Sequence, residues 1–224
     1  MCFNKNVSII TFSVMIASSI ILILRNFPND RWFSILFIFA GLMQFAEYLM
    51  WVDQKCGKIN HYATLIAYLI LLLQPLSILI GGYLFGELTF NKKKLIPIII
   101  IYAIIFGLLF IKGIYSSTRV KLCTKPDGRH LSWNINKLYP SYILTVIAYL
   151  LYYVAIILIF FSKNKRSGIF LAILYIGTLL FSIFFVKNPS WKSFWCWIVN
   201  MIPVIYLIIT SIFKKYFFKD TYYE

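Results

Sequence analysis

Apolar positions in this chain come in long unbroken blocks, without the strict alternation of a half-buried strand or the polar face of a soluble amphipathic helix. Seven runs can be marked: 7–24, 32–52, 62–85, 95–111, 141–161, 168–186 and 194–213. Each is close to the length of about 17 to 25 residues that a helix needs to cross the hydrocarbon of a bilayer. Barrel strands would cross in about ten residues and alternate apolar with polar, which none of these runs does. The pattern predicts an all-α polytopic transmembrane helix bundle of about seven spans, a single integral membrane domain over 1–224 with one long loop at 112–140. Only Lys5 precedes the first run and no small-residue cleavage site interrupts it, so it is read as a retained span rather than a signal peptide.

Composition and charge sharpen this picture. Hydrophobic residues make up 61% of the chain and charged ones 13%, a balance with which a water-soluble domain could not cover its own surface. Of 22 basic and 7 acidic side chains, Glu47 alone falls inside a run, the exclusion that hydrocarbon imposes. A net charge of +15 would point to nucleic acid in a soluble chain. Here the basic residues fill the gaps between runs, where they meet anionic lipid head groups. The expected partners are therefore the lipid bilayer and its head groups, and no nucleic acid.

Alternate spans place the N-terminus and the 53–61, 112–140 and 187–193 loops on one side, the N-terminal face. Lys and Arg divide evenly, eleven to a face. Arg119, Lys121, Lys125 and Arg129 lie deep in the long loop, however, and setting them aside leaves seven against eleven. The orientation rule counts charges near span ends, so it favours a non-cytoplasmic N-terminus and a cytoplasmic C-terminus. Cys2, Cys56, Cys123 and Cys196 all fall at or near the N-terminal face. Cys56 with Cys123 is the loop-to-loop disulfide candidate; unpaired thiols packed as small hydrophobes are the alternative.

Glu47 is the residue on which chemistry can be argued. Gln44, Glu47 and Trp51 share one helix face, a stripe that must turn toward protein and not lipid. The carboxyl lies about five residues, or roughly 7.5 Å, from the end of its span, shallow enough for water or a loop cation to reach. It is either a proton or cation site, or a general acid or base, or else a hydrogen-bonded tie between helices. Gln74 and Asn200 are further polar interruptions of spans, and the Trp195-Cys196-Trp197 knot is either an interfacial aromatic belt or a wall of a pocket beside Glu47. Together Glu47, Gln44, Gln74, Asn200, Cys2, Cys196 and Trp195 are the candidate polar pocket.

Other chemistry is disfavoured. His61 and His130 stand without C-x-x-C, H-x-x-x-H or H-E-x-x-H spacing, so no metal site and no cofactor is expected. Lys192 and Lys214 only bracket the last run, which lacks the interior lysine a retinal Schiff base requires. Two histidines, with no Asp inside a run, do not supply the ligand set of ceramidase-like membrane hydrolases.

Met1-Cys2-Phe3-Asn4 with Val7-Ser8, Gln44-x-x-Glu47-Tyr48 with Trp51, Leu73-Gln74-Pro75 and Ser193-Phe194-Trp195-Cys196-Trp197 together resemble a family of uncharacterised multi-span membrane proteins from giant DNA viruses and protists. The resemblance implies a shared fold of about seven helices, with Cys2, Glu47, Gln74 and Cys196 as marked positions. It supplies no reaction. The expected function is that of a multi-pass membrane protein binding or passing a small solute or proton at a polar pocket near the N-terminal face. The alternatives are a membrane enzyme or thiol-redox protein using Cys2, Cys196 and Glu47, and a structural protein of a viral or internal membrane.

Overall fold

A computed structural model describes residues 4–128, 130–133, 138, 146, 150, 152–154, 156–186 and 191–219. The first helix, α1 (Lys5–Arg25), begins where the Asn4 side chain accepts the N–H groups of Asn6 and Val7 at 2.9 and 3.0 Å, satisfying donors that a first turn leaves unpaired. It is followed by α2 (Asp30–Val52), α3 (Lys58–Phe85) and α4 (Lys92–Arg119). A small antiparallel hairpin then pairs β1 (Lys125–Asp127) with β2 (His130–Ser132), its turn opened by Gly128 at φ 59°. Beyond the tight turn Ile159–Phe161 come α5 (Lys165–Phe185), α6 (Trp191–Val199), α7 (Ile202–Ile212) and the short α8 (Lys214–Phe217).

The result is an all-α polytopic bundle. Among the described residues six helical segments are long and apolar enough to cross a membrane: α1 to α5 and Ser193–Ile212, which joins α6 to α7. This is the architecture of a multi-pass membrane protein. Ten of the 21 residues of the run 141–161 lie outside the described ones.

Helix α2 sits between α1 and α3 and packs along both. Its close approach to α3 depends on Gly81 and Gly82: a Cβ at Gly81 would fall 2.8 Å from Trp32 Cδ1. Trp32 is fully buried there and donates its indole N–H to the Ile78 carbonyl at 2.8 Å, so small residues and one polar contact replace the hydrophobic drive that lipid cannot supply. Among the described residues the stronger contacts of helix α4 are with α3, and it leaves Ile100, Ile104, Leu108 and Ile111 exposed, as a lipid-facing helix would.

Polar residues collect at the two ends. At one end a disulfide joins Cys56 to Cys123, with Cα atoms 5.2 Å apart. Asn60 lies beside it, donating to the Thr124 carbonyl at 2.9 Å and accepting the Thr124 N–H at 2.8 Å. At the other end Arg25 grips Asp30 through two bonds of 2.8 and 2.9 Å. Asn29 there donates to Ser162 and Ser167 at 2.6 and 2.7 Å, and the Lys163 N–H reaches the Glu87 carbonyl at 2.7 Å.

Two boundaries differ from the hydropathy pattern. Helix α4 continues past Ile111 to Arg119, so the long loop starts later than 112; a helix emerging from lipid has no reason to stop where its side chains turn polar. The last run is interrupted at Asn200–Met201. Pro203 has no N–H for the Val199 carbonyl, and Asn200 and Met201 turn their N–H groups to Trp197 and Ile198, three residues back, at 3.2 and 2.9 Å.

Candidate functional site

Glu47 lies in the last third of α2 and is fully buried. Its spacing from Gln44 brings both side chains to the same face, and Gln44 donates its amide to Glu47 Oε2 at 2.9 Å. Two partners arrive from distant segments. Trp133, just beyond β2, donates its indole N–H to Oε1 at 3.1 Å, and Ser193, in the first turn of α6, donates its hydroxyl to the same oxygen at 2.8 Å. The Gln44 carbonyl oxygen accepts the hydroxyl of Thr11 on α1 at 3.2 Å. One carboxyl thus gathers α1, α2, the segment after the hairpin and α6.

Several neutral donors converging on a carboxyl favour its charged form, while burial favours the neutral one. Ser193 can serve either state, because a hydroxyl can donate to a carboxylate or accept from a carboxylic acid. The indole N–H of Trp133 can only donate.

The remaining predicted residues fall into two groups. Cys196 is buried one helical turn below Ser193, belongs to the apolar cluster that includes Met43, Ala46 and Met50 of α2, and is an electrostatic neighbour of Glu47. Asn200 donates its amide to the Cys196 carbonyl, and its own side-chain oxygen is buried without a hydrogen-bond partner. Gln74 is placed elsewhere: its side-chain oxygen accepts the Tyr152 hydroxyl at 3.0 Å, in a narrow crevice with Leu36, Pro75, Ile78, Ile156 and Tyr175. Trp195 goes with Gln74, its ring edge-on to Tyr152 at 5.6 Å between centroids. Cys2 lies outside the described residues.

Sequence reasoning did not name Thr11 as a partner of Gln44, nor Trp133 or Ser193 as partners of Glu47. Trp133 and Ser193 stand 86 and 146 residues away from it, and no local spacing announces such a meeting. Among the described residues no group of three or more His, Cys, Asp and Glu side chains is arranged to hold a metal ion. His61 is engaged through Nδ1, which accepts the Leu122 N–H at 3.1 Å.

Fold and site together define a helix bundle of the multi-pass membrane class with a buried acidic centre near one end. No family model, curated protein or solved structure matches the chain.

Proposed function

We propose that this protein binds or passes a proton, or a small solute carrying one, at the Glu47 carboxyl near the N-terminal face. The observation that carries the reading is the position of Glu47: a wholly buried ionisable group inside a bilayer-length helix, held by side chains from two other segments as well as its own helix. Ionisable groups at membrane depth are costly and tend to line transport or proton paths. Cys196 on α6 and Asn200 just beyond its end lie further along the same segment, joined by the bond from the Asn200 amide to the Cys196 carbonyl.

The orientation belongs to the same proposal. The Cys56–Cys123 bridge is at home in an oxidising compartment and, with the charge bias, supports an N-terminal face outside the cytoplasm. Kinship with the viral and protist membrane family is also part of it; Glu47, Gln74 and Cys196, three positions the resemblance marks, are all buried. A thiol-redox role is less well supported, since Cys196 is buried within an apolar cluster.

The test is proton flux in proteoliposomes loaded with a pH-sensitive dye. Glu47→Gln, which keeps the shape and loses the titratable proton, is expected to abolish pH-dependent flux while leaving the folded yield intact. If Glu47→Gln carries flux like the unaltered protein, and Glu47→Ala merely lowers expression, Glu47 is a structural tie and the proposal fails.

A further inference from the structure

Beside the disulfide lies a pocket of about 300 Å³ walled by Gly57, Lys58, His61, Tyr62 and Lys121. Its polar side chains are donors. Lys58 and Lys121 bring two ammonium groups, and among the described residues neither makes an ion pair. The His61 ring is held in one sense, because the Leu122 N–H occupies Nδ1 and the ring proton of neutral His61 is left on Nε2.

Both walls are fixed. Residues 121–124 are stitched to the start of α3 by the bond to His61, by the paired bonds between Asn60 and Thr124, by the Thr64–Thr124 hydroxyl contact at 2.8 Å and by the disulfide. The neighbouring acid is already engaged: Asp53 turns its two oxygens onto the N–H groups of Gly57 and Asn60 at 3.0 and 3.1 Å, though its charge still attracts Lys121. Gly57 is needed for this, since a Cβ there would lie 2.5 Å from Asp53 Oδ2.

We infer that Lys58, His61 and Lys121 form a binding site for a phosphate group, and that the phosphate is the head group of a membrane lipid. The lipid source follows from what lies beneath. Ile59, Tyr62 and Ile66 are 49%, 58% and 42% exposed and recur at the spacing of one helix face, so an apolar strip on α3 runs down from the pocket where an acyl chain would lie. This site is independent of the reading of Glu47.

With two histidines in the chain, nitrogen-15 histidine labelling gives an assignable signal at His61, confirmed by His61→Gln. In dodecyl maltoside micelles, dioctanoyl phosphatidylglycerol is expected to shift the His61 Nε2 resonance saturably, while dioctanoylglycerol, which lacks phosphate, does not. Lys58→Gln with Lys121→Gln should weaken binding about thirtyfold, roughly fivefold per lysine. Lys93→Gln with Lys94→Gln, which removes equal charge from the start of α4, should leave it unchanged. Inorganic phosphate binding as tightly as the lipid supports the phosphate site and reassigns its source to a free anion. No His61 shift with either probe, or unchanged affinity in the Lys58→Gln/Lys121→Gln protein, overturns the inference.

Discussion

Arg25 is the residue whose loss should be felt most at the end remote from the disulfide. Its guanidinium donates to Asp30 Oδ2 and Oδ1 at 2.8 and 2.9 Å, to the hydroxyls of Thr210 and Ser211 at 2.9 and 2.8 Å, and to the Leu207 carbonyl at 3.2 Å. Those contacts tie the end of α1 to the start of α2 and to α7. Asp30 is fully buried, so Arg25→Met leaves a carboxylate with the Phe27 N–H at 3.0 Å and without its ion-pair partner. Breaking one side of a buried pair costs about 3–5 kcal/mol. At roughly 2–4 °C per kcal/mol for a chain of this length, the midpoint of thermal unfolding in detergent should fall by about 6–20 °C. Removing both charges is a smaller injury: Arg25→Met with Asp30→Asn should recover at least half of the loss, a coupling of about 2 kcal/mol. Unfolding followed by tryptophan fluorescence on the four proteins of this cycle gives the answer. A midpoint within 2 °C of the unaltered protein for Arg25→Met, or strictly additive single effects, would refute the argument that the pair acts as a buried unit.

Other expectations follow from single contacts. Glu87 lies outside the spans and its carboxyl is held above the usual range by burial, which outweighs the Asn29 N–H and the attraction of Lys163. A raised carboxyl pKa favours the folded state at pH below the ordinary value and loses that contribution as pH rises through the shifted one; Glu87→Gln should flatten this part of the stability profile, measured by thermal unfolding between pH 4 and 8. Asp53 runs the other way: the N–H groups of Asn60 and Gly57 hold its carboxyl below the usual range, so its contribution is present above the ordinary carboxylate pKa and lost as pH falls through the lowered one, and Asp53→Asn should remove that acid-side loss. Cys56→Ser with Cys123→Ser opens a loop with a sequence separation of 67, for which chain entropy gives about 4 kcal/mol; a matching drop in the unfolding midpoint on reduction of the unaltered protein, absent in the variant, is the check. Gly81→Leu should cost about 1–3 kcal/mol by overpacking against Trp32, read in the same assay.

Span positions were legible because hydrocarbon writes a strong signal: charge is excluded and apolar residues run unbroken, and α1, α2, α3 and α5 fall on their runs with small shifts. The extension of α4 was hidden because hydropathy registers where lipid ends, not where the backbone stops coiling. Pro203 was visible in the sequence, yet the break at Asn200–Met201 depends on the local turn that its missing donor permits. At the site, the Gln44–Glu47 bond could be read from a three-residue spacing within one helix. The contributions of Trp133 and Ser193 could not, since they arise only when α6 and the segment after the hairpin close over α2. Gln74 and Trp195 illustrate the converse: polarity and aromatic character single them out, but the side of each helix that faces the carboxyl is decided by packing against Tyr152.

Cys56 precedes α3 and Cys123 follows α4, so the bridge closes a covalent ring around that helical pair. A protease cutting at Glu87 in the turn between them would sever the backbone without separating the halves, which would migrate as one species until a reductant is added. The same ring contains no residue from any later helix, so its closure needs only α3, α4 and the turn between them to be in place.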